Sequence, residues 1–261
     1  MKTIVSIFNK VHTFLRQIHT FFKKNKKIKY FIISAIIIAI LIPLIDLIKP
    51  YIYYISRDKV TTATLDELNL ENYDNLMIVA HPDDDTLWGG ASLIEENYLV
   101  VCITNGYNTT RRDEFLNVMN QTNDIGLILD YPDKIFGKRS DWGFCKDAIY
   151  DDISTIISYK DWNQIVTHNE KGEYGHIHHI MTHEIVANTC DKIDYTGKQY
   201  YFGTYYSLDK LSKLSDTEKP QRLSDEIIKL KTENAYLYKS QTRTLEKLKH
   251  MIPYEEFQLR D

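Results

Sequence analysis

Short apolar runs alternate with longer helical stretches through most of the chain. Three runs have the length and the β-branched composition of buried strands, at residues 76–80, 98–104 and 163–168. Helices are predicted between and after them, at residues 86–96, 110–126, 145–160, 176–190 and about 222–239. Strands that alternate with helices are typical of an α/β domain with a mostly parallel sheet covered on both faces. We predict this fold for residues 57–261.

The longest apolar run lies earlier in the chain, at residues 31–48, and reads FIISAIIIAILIPLIDLI. As a helix it would be about 27 Å long, close to the roughly 30 Å of a bilayer's hydrocarbon core. A buried core helix would not carry isoleucine on every face. A cleaved signal peptide would have a shorter leading segment and a small-residue cleavage site after the run. We therefore predict a retained transmembrane anchor at residues 30–50.

Charge divides the chain at this anchor. The net charge is −4, but residues 1–50 carry nine Lys/Arg and one acid, whereas the remainder carries 23 basic and 35 acidic side chains. An acidic main domain argues against nucleic-acid binding. The cluster KKNKKIK at residues 23–29 predicts a cytoplasmic N-terminus and a main domain on the exoplasmic side. Within the basic segment 1–29, residues 1–22 have the spacing of an amphipathic helix on the inner membrane surface.

Three cysteines, Cys102, Cys145 and Cys190, lack the C-x-x-C spacing of a metal site. Cys102 lies within a predicted buried strand. In an exported domain, Cys145 and Cys190 could form a disulfide or remain free.

Two segments rich in metal-binding side chains follow predicted strands. His81-Pro82-Asp83-Asp84-Asp85 comes directly after the first strand, and five of the nine histidines lie within residues 168–183, after the third. The acidic segment alone could simply cap the next helix. The two together suit a metal ion, with zinc favoured by histidine and aspartate ligands and other first-row divalent metals as alternatives. Without an H-E-x-x-H motif, a zincin peptidase is disfavoured.

The pair of motifs resembles the LmbE-like/PIG-L family of zinc-dependent N-acetylglucosaminide deacetylases. AHPDDD is similar to the family's AHPDDE, and GEYGHIHH is similar to its G-x-Y-G-H-x-D-H block. The resemblance covers about residues 74–190 and weakens to a similar closing segment at residues 238–241. It implies a Rossmann-like fold and hydrolysis of the acetamido group of a sugar on a glycolipid, surface glycan or polysaccharide precursor.

The resemblance also implies roles for individual residues. His81, Asp84 and His179 correspond to zinc ligands, which leave a fourth position open for water. Asp83 corresponds to the general base, and His176 to the residue that stabilises the oxyanion and assists protonation of the leaving amine.

Two further residues complete the implied site. Tyr174 corresponds to a mobile group that polarises the carbonyl. Arg111 corresponds to a sugar-contacting residue, chosen over Arg112 on spacing alone.

Two positions depart from the family pattern. Asp85 replaces a glutamate, which we expect to leave the ligand set intact. His178 stands where the family often has an acid that would keep His176 protonated. Either Glu173 or Glu170 takes over that task, or the pKa of His176 is lower than in relatives.

Two other functions remain as alternatives. His178 leaves open a catalytically silent, metal-stabilised domain that binds a sugar in the same cleft. A nucleotide-binding Rossmann module is the weaker alternative, because no G-x-G-x-x-G follows either of the first two strands.

Overall fold

The computed structural model describes residues 13, 16, 19–215 and 217–260 of the chain. Internal contacts divide the chain into two compact units, Met1–Lys49 and Pro50–Asp261. The amphipathic helix predicted for residues 1–22 lies largely outside the described residues.

The first helix, α1, covers Lys26–Ser56. Its portion Lys26–Ile45 is apolar and none of it is buried, so in the described part of the chain this helix alone has the length and composition to cross a membrane. A signal sequence near an N-terminus can have the same length and apolar composition.

The second unit contains helices and strands in alternation. Its helices of five or more residues are α2 Thr62–Asp66, α3 Asp84–Glu95, α4 Thr109–Thr122, α5 Lys146–Ile157, α6 Ile177–Lys192, α7 Leu208–Lys213, α8 Asp225–Ala235 and α9 Thr242–Leu248, and a shorter helical turn covers Gly172–Gly175. Its strands are β1 Asn75–Val79, β2 Tyr98–Thr104, β3 Ile125–Tyr131, β4 Lys134–Ile135, β5 Lys138–Arg139, β6 Gln164–Thr167, β7 Lys198–Phe202 and β8 Phe257–Leu259.

Six strands form one sheet in the order β3-β2-β1-β6-β7-β8, and β4 and β5 form a separate hairpin. Neighbours from β3 to β7 pair in parallel, and β8 joins the edge antiparallel to β7. Along β1, Leu76 and Ile78 face one hydrophobic core, whereas Met77 and Val79 face the other. Helices supply both cores, as a parallel sheet buried on both faces requires. The α/β class predicted from the sequence is confirmed.

The differences from the predicted elements have local causes. The helix expected to reach residue 126 ends at Thr122, because Asn123 adopts the left-handed conformation (φ 63°) of a C-terminal cap. That early end leaves room for β3, which the sequence analysis missed along with β7, β8 and the hairpin. The three cysteines are buried and free, so the Cys145–Cys190 disulfide is not formed.

Candidate metal centre and active site

The candidate site lies where the central strands end. β1 leads directly into His81–Asp85. The strand β6, which pairs with β1, leads into His168. β3 leads into Asp133 on the far side of β2. Ligands bind at the carboxyl ends of strands in open α/β sheets, because successive loops converge there. His81 and His168, which are 87 residues apart in the sequence, are thereby brought to the same edge of the sheet.

Asp84 joins the two motifs. Its Oδ2 lies 3.0 Å from Nδ1 of His81 and accepts the backbone N–H of that residue at 2.9 Å. Its Oδ1 lies 3.2 Å from Nε2 of His179. Burial opposes ionisation of Asp84, but His179 and His81 outweigh it and hold its pKa well below the usual range. The structure thus brings the three sequence-predicted ligands into direct contact.

Glu173 fixes the orientation of two buried imidazoles. Its Oε2 accepts hydrogen bonds from Nδ1 of His168, at 3.0 Å, and from Nδ1 of His179. Both rings therefore carry a proton on Nδ1, and Nε2 is the nitrogen that has a lone pair when the ring is neutral. The N–H of Ala80 donates to Nε2 of His168 at 3.0 Å, so that lone pair is already used. Nε2 of His179 is buried, has no hydrogen-bond partner among the described residues, and faces Asp84.

His178 fixes His81 in a similar way. Its Nε2–H donates to the carbonyl of Ser140 at 2.7 Å, which leaves its Nδ1 as an acceptor. Nε2 of His81 lies 3.0 Å from that Nδ1 and donates to it. The nitrogen of His81 that is free to bind a metal is therefore Nδ1, which faces Asp84.

The hydrogen bonds show which of the clustered side chains still have a donor atom free for a metal. Three groups of side chains have donor atoms within 4.8 Å of one another, namely His81–His176–His179, His81–Asp133–His178 and Asp84–His168–His179. His168 and His178 have no lone pair left for a metal, and Arg139 contacts Asp133. Donors remain on His81, His176, His179 and Asp84, and imidazole and carboxylate are the ligand types of catalytic zinc sites.

A positive charge is favoured between these donors. Burial alone would make His179 less basic, but Asp84 and Glu173 outweigh it and raise the pKa of His179 to about 10. A proton on His179 offsets one of the two negative charges, whereas a divalent metal ion would offset both and would displace that proton. The buried, partnerless Nε2 of His179 is the position where this exchange would occur.

Asp83 lies at the edge of the same cluster. Its backbone has φ 117°, a strained conformation for a residue with a side chain. Burial raises its pKa to about 7, against the opposing charge of Arg111, whose Nη2 lies 3.2 Å from Oδ1. Arg111 also donates to the carbonyl of Pro82. Arg112 instead is exposed and pairs with Asp113.

His176 and Tyr174 lie on the solvent side of the cluster. Nδ1 of His176 is buried without a hydrogen-bond partner. Burial, together with repulsion from His81 and His179, lowers the pKa of His176 to about 2, so the ring is neutral at physiological pH. Tyr174 is 41% exposed, and its ring centroid lies 6.0 Å from that of His176.

Neither glutamate considered from the sequence keeps His176 protonated. Glu173 bonds to His168 and His179, and Glu170 is an exposed residue beside Lys171. With histidine at position 178, His176 was expected to have either a glutamate as its partner or a lowered pKa. The structure supports the lowered pKa.

A cavity of about 510 Å³ opens above the cluster. The sequence-predicted residues that line it are His81, Asp83, Asp84, Arg111, Tyr174 and His176. The predicted site residue outside this lining is His179, which is fully buried beneath it. A cavity of this volume accommodates a ligand of one or two sugar rings.

Comparison with known proteins identifies the domain. A family model described as "PIG-L: GlcNAc-PI de-N-acetylase" matches residues 76–190, the part of the chain that holds both motifs. Residues 76–190 are therefore similar to the PIG-L family, and we call the unit that contains them, Pro50–Asp261, the PIG-L domain. The resemblance drawn from the two motifs is confirmed.

One curated relative and several solved structures also resemble this chain. An uncharacterised protein of Acanthamoeba polyphaga mimivirus is 37% identical over 123 residues, which cover 41% of this chain. The chain spans about half of that relative, 53% of its length.

The solved structures show the fold. N,N'-diacetylchitobiose deacetylase of Pyrococcus horikoshii is 13% identical with a TM-score of 0.52, over 78% of this chain and 94% of its own. A deacetylase of an antimicrobial pseudoaglycone is 17% identical with a TM-score of 0.51, over 67% and 85%.

Contacts from the closing segment of the chain support the first motif of the PIG-L domain. The hydroxyl of the buried Tyr238 lies 2.8 Å from both carboxylate oxygens of Asp85. Asp85 in turn accepts the backbone N–H of Asp83 at 3.2 Å. Ser240 donates to Glu114 through its backbone N–H and its hydroxyl, at 2.8 and 2.6 Å. Asp85, the shorter replacement for the family's glutamate, thus fixes the strained backbone of Asp83.

Sequence reasoning missed most of the residues that support the ligands in the PIG-L domain. Asp133 and Arg139 lie beside Nε2 of His81, at 3.5 and 3.3 Å, and no motif marks them. Glu173 was considered only as a partner for His176. Its backbone conformation (φ 55°) is unusual for a residue with a side chain, and no sequence signal shows it.

Replacing Glu173 with glutamine is expected to weaken zinc binding about 10- to 100-fold, because a partner that orients a ligating histidine contributes this much. The amide would present a donor or a weaker acceptor to Nδ1 of His179 in place of the carboxylate. Competition with a zinc-binding dye, using the full chain, measures the change. Glu170→Gln is the matched control, since that side chain is exposed, and equal affinity of both variants would contradict the role of Glu173.

Proposed function

We propose that the PIG-L domain is a zinc-dependent hydrolase that removes the acetyl group from an N-acetylglucosamine-type sugar. The observation that carries the proposal is the cluster of donor atoms on His81, Asp84 and His179, which face one another beside Asp83, next to a cavity of sugar size. The family description and the two deacetylase structures support the same activity.

Zinc held by His81, Asp84 and His179 would polarise the acetamido carbonyl and make water more acidic. Asp83 accepts the proton of the attacking water, since it lines the cavity directly next to Asp84. Its pKa of about 7 suits a group that must both accept and release a proton at neutral pH. Arg111 positions this carboxylate and lies at the cavity wall, where it can also contact the sugar.

His176 acts as a neutral ring in this proposal. Its N–H donates a hydrogen bond to the carbonyl oxygen, which gains negative charge during attack. Tyr174 polarises the same oxygen from the exposed side of the cavity. Because neutral His176 brings no extra proton, the leaving amine takes the proton that Asp83 received from water. This division of roles is compatible with histidine at position 178.

The setting of the enzyme forms the second half of the proposal. Residues 30–50 anchor the chain in a membrane, with the basic segment 1–29 in the cytoplasm and the domain 57–261 on the exoplasmic side. The exposed apolar helix and the lysine cluster before it support this arrangement. A glycolipid, a surface glycan or a polysaccharide precursor would then be the substrate.

Acetate release by the full, zinc-loaded chain tests the activity against a panel of GlcNAc-bearing lipids and polysaccharides. We expect release from at least one member of the panel, and loss of both zinc and release in His179→Ala. A wild-type chain that binds zinc stoichiometrically but releases no acetate would favour the silent sugar-binding domain instead. A reporter fused to the C-terminus tests the exoplasmic location.

A further inference from the structure

Residues 132–145 connect β3 to α5 and combine a buried base with an exposed tip. The base is tied to the metal centre. Asp133 contacts His81, the carbonyl of Ser140 accepts from His178, and the ring of Trp142 stacks on His178 at 4.3 Å. The tip is the turn of the β4–β5 hairpin, formed by Phe136 and Gly137.

Phenylalanine is an unfavourable residue at position 136, because of the backbone conformation of this turn. Phe136 and Gly137 both have positive φ, 51° and 73°, as in the tight turns in which asparagine followed by glycine is favoured. A bulky side chain is disfavoured in this left-handed conformation. The same side chain is also 61% exposed, so neither packing nor backbone conformation accounts for a phenylalanine here. A costly residue at an exposed tip points to contact with a partner.

The surroundings of Phe136 indicate the chemistry of that partner. Lys134, Lys138 and Arg139 flank the tip within the hairpin. Lys134 and Arg139 also line the cavity, so the tip lies next to its mouth. An exposed aromatic ring set among basic side chains is typical of protein segments that enter the interface of an anionic bilayer.

A second group of aromatic side chains surrounds Phe144, at the far end of the connection. Phe144 is 45% exposed and makes edge contacts with Tyr51 and Tyr54, at 5.3 and 5.1 Å between ring centroids. Tyr51 and Tyr54 belong to the last turns of α1, within the second unit. Aromatic rings with a polar end are enriched at the level of lipid headgroups.

We propose that the β4–β5 hairpin inserts Phe136 into the headgroup region of a phospholipid bilayer and thereby brings the cavity mouth to lipid-linked substrate. Lys134 and Lys138 bind the lipid phosphates at either side of the inserted ring. The substrate part of this inference rests on the proposed deacetylase function, but the contact with lipid does not.

Tryptophan fluorescence tests the contact with lipid. The full chain with Phe136→Trp is reconstituted in vesicles that contain phosphatidylserine and lipids brominated near the headgroup. We expect a blue shift and quenching beyond that of the wild type, whose tryptophans, Trp88, Trp142 and Trp162, are buried. Leu259→Trp is the matched control, because Leu259 is similarly exposed (59%) but lies on β8, at the opposite edge of the sheet from β3. Equal quenching of the two variants would overturn the proposal.

Phe136→Asn tests the consequence for substrate without disturbing the fold, since asparagine is favoured in this turn. We expect at least tenfold lower acetate release from substrate in vesicles and unchanged release from a soluble GlcNAc derivative. An equal loss on both substrates would place Phe136 against the sugar instead and overturn the membrane role. Quenching at Phe136→Trp with no acetate release from any substrate would support insertion while removing the proposed enzymatic function.

Discussion

Asp83→Asn is expected to lower kcat for acetate release by about 10²- to 10⁴-fold while the chain keeps one bound zinc ion. The carboxamide is isosteric with the carboxylate and can still accept the hydrogen bond from Arg111, but it cannot take a proton from water. Because Asp83 is not among the clustered donor groups, zinc should remain. Acetate release and metal content, measured on the same full-length preparation, check both halves of the prediction.

The matched control is Asp113→Asn, which removes an exposed carboxylate that pairs with Arg112 on α4. This variant should retain wild-type kcat. Two results would contradict the role of Asp83. An unchanged kcat in Asp83→Asn would exclude it as the base, and loss of zinc would make it a metal ligand.

Glu255→Ala is expected to destabilise the domain by about 3–5 kcal/mol, because it leaves a buried charge without its partner. Nζ of Lys231 lies 2.7 Å from Oε2 of Glu255, and the lysine side chain is fully buried. Glu255 also accepts the backbone N–H groups of Ala91 and Ser92, at 2.8 Å each. One carboxylate therefore joins α8 to α3, the helix that begins with Asp84, a predicted metal ligand.

Urea unfolding followed by tryptophan fluorescence measures this change in stability. Asp209→Ala is the control, since its pair with Lys213 is also 2.7 Å long but lies largely in solvent, where removal costs at most about 1 kcal/mol. Glu255→Ala should also lose more stability than the double variant Lys231→Met/Glu255→Gln, in which no unpaired charge remains buried. A loss no greater than that of Asp209→Ala would show that the buried pair contributes little.

Much of the fold was readable because its central elements are buried on both faces. The runs at residues 76–80 and 98–104 are apolar throughout, and both are strands of the central sheet. β3 and β7 were missed because they are only partly buried and their pattern is less apolar. The β4–β5 hairpin was missed because each strand has two residues, too short for any periodicity to appear.

The histidine cluster shows where spacing ceases to be informative. His176, His179 and His183 would share one face of a helix that began at His176. In the structure α6 begins at Ile177, His176 precedes it in an extended conformation, and His183 donates to the carbonyl of His168 at 3.0 Å instead of joining the metal donors. The spacing of the histidines predicts which of them share a helix face. It does not predict which atom each ring nitrogen contacts.

By itself the sequence determined the features that depend on chemistry within a short segment. These are the apolar run at residues 31–48, the donors of His81–Asp85 and the density of histidines after β6. Tertiary structure alone decided which ring nitrogens of His168 and His178 are already used, because Ala80 and Ser140 reach those rings only when the strand ends converge. A hydrogen bond fixes a proton on one nitrogen of an imidazole, and that choice depends on a partner's position in space, which residue order does not contain.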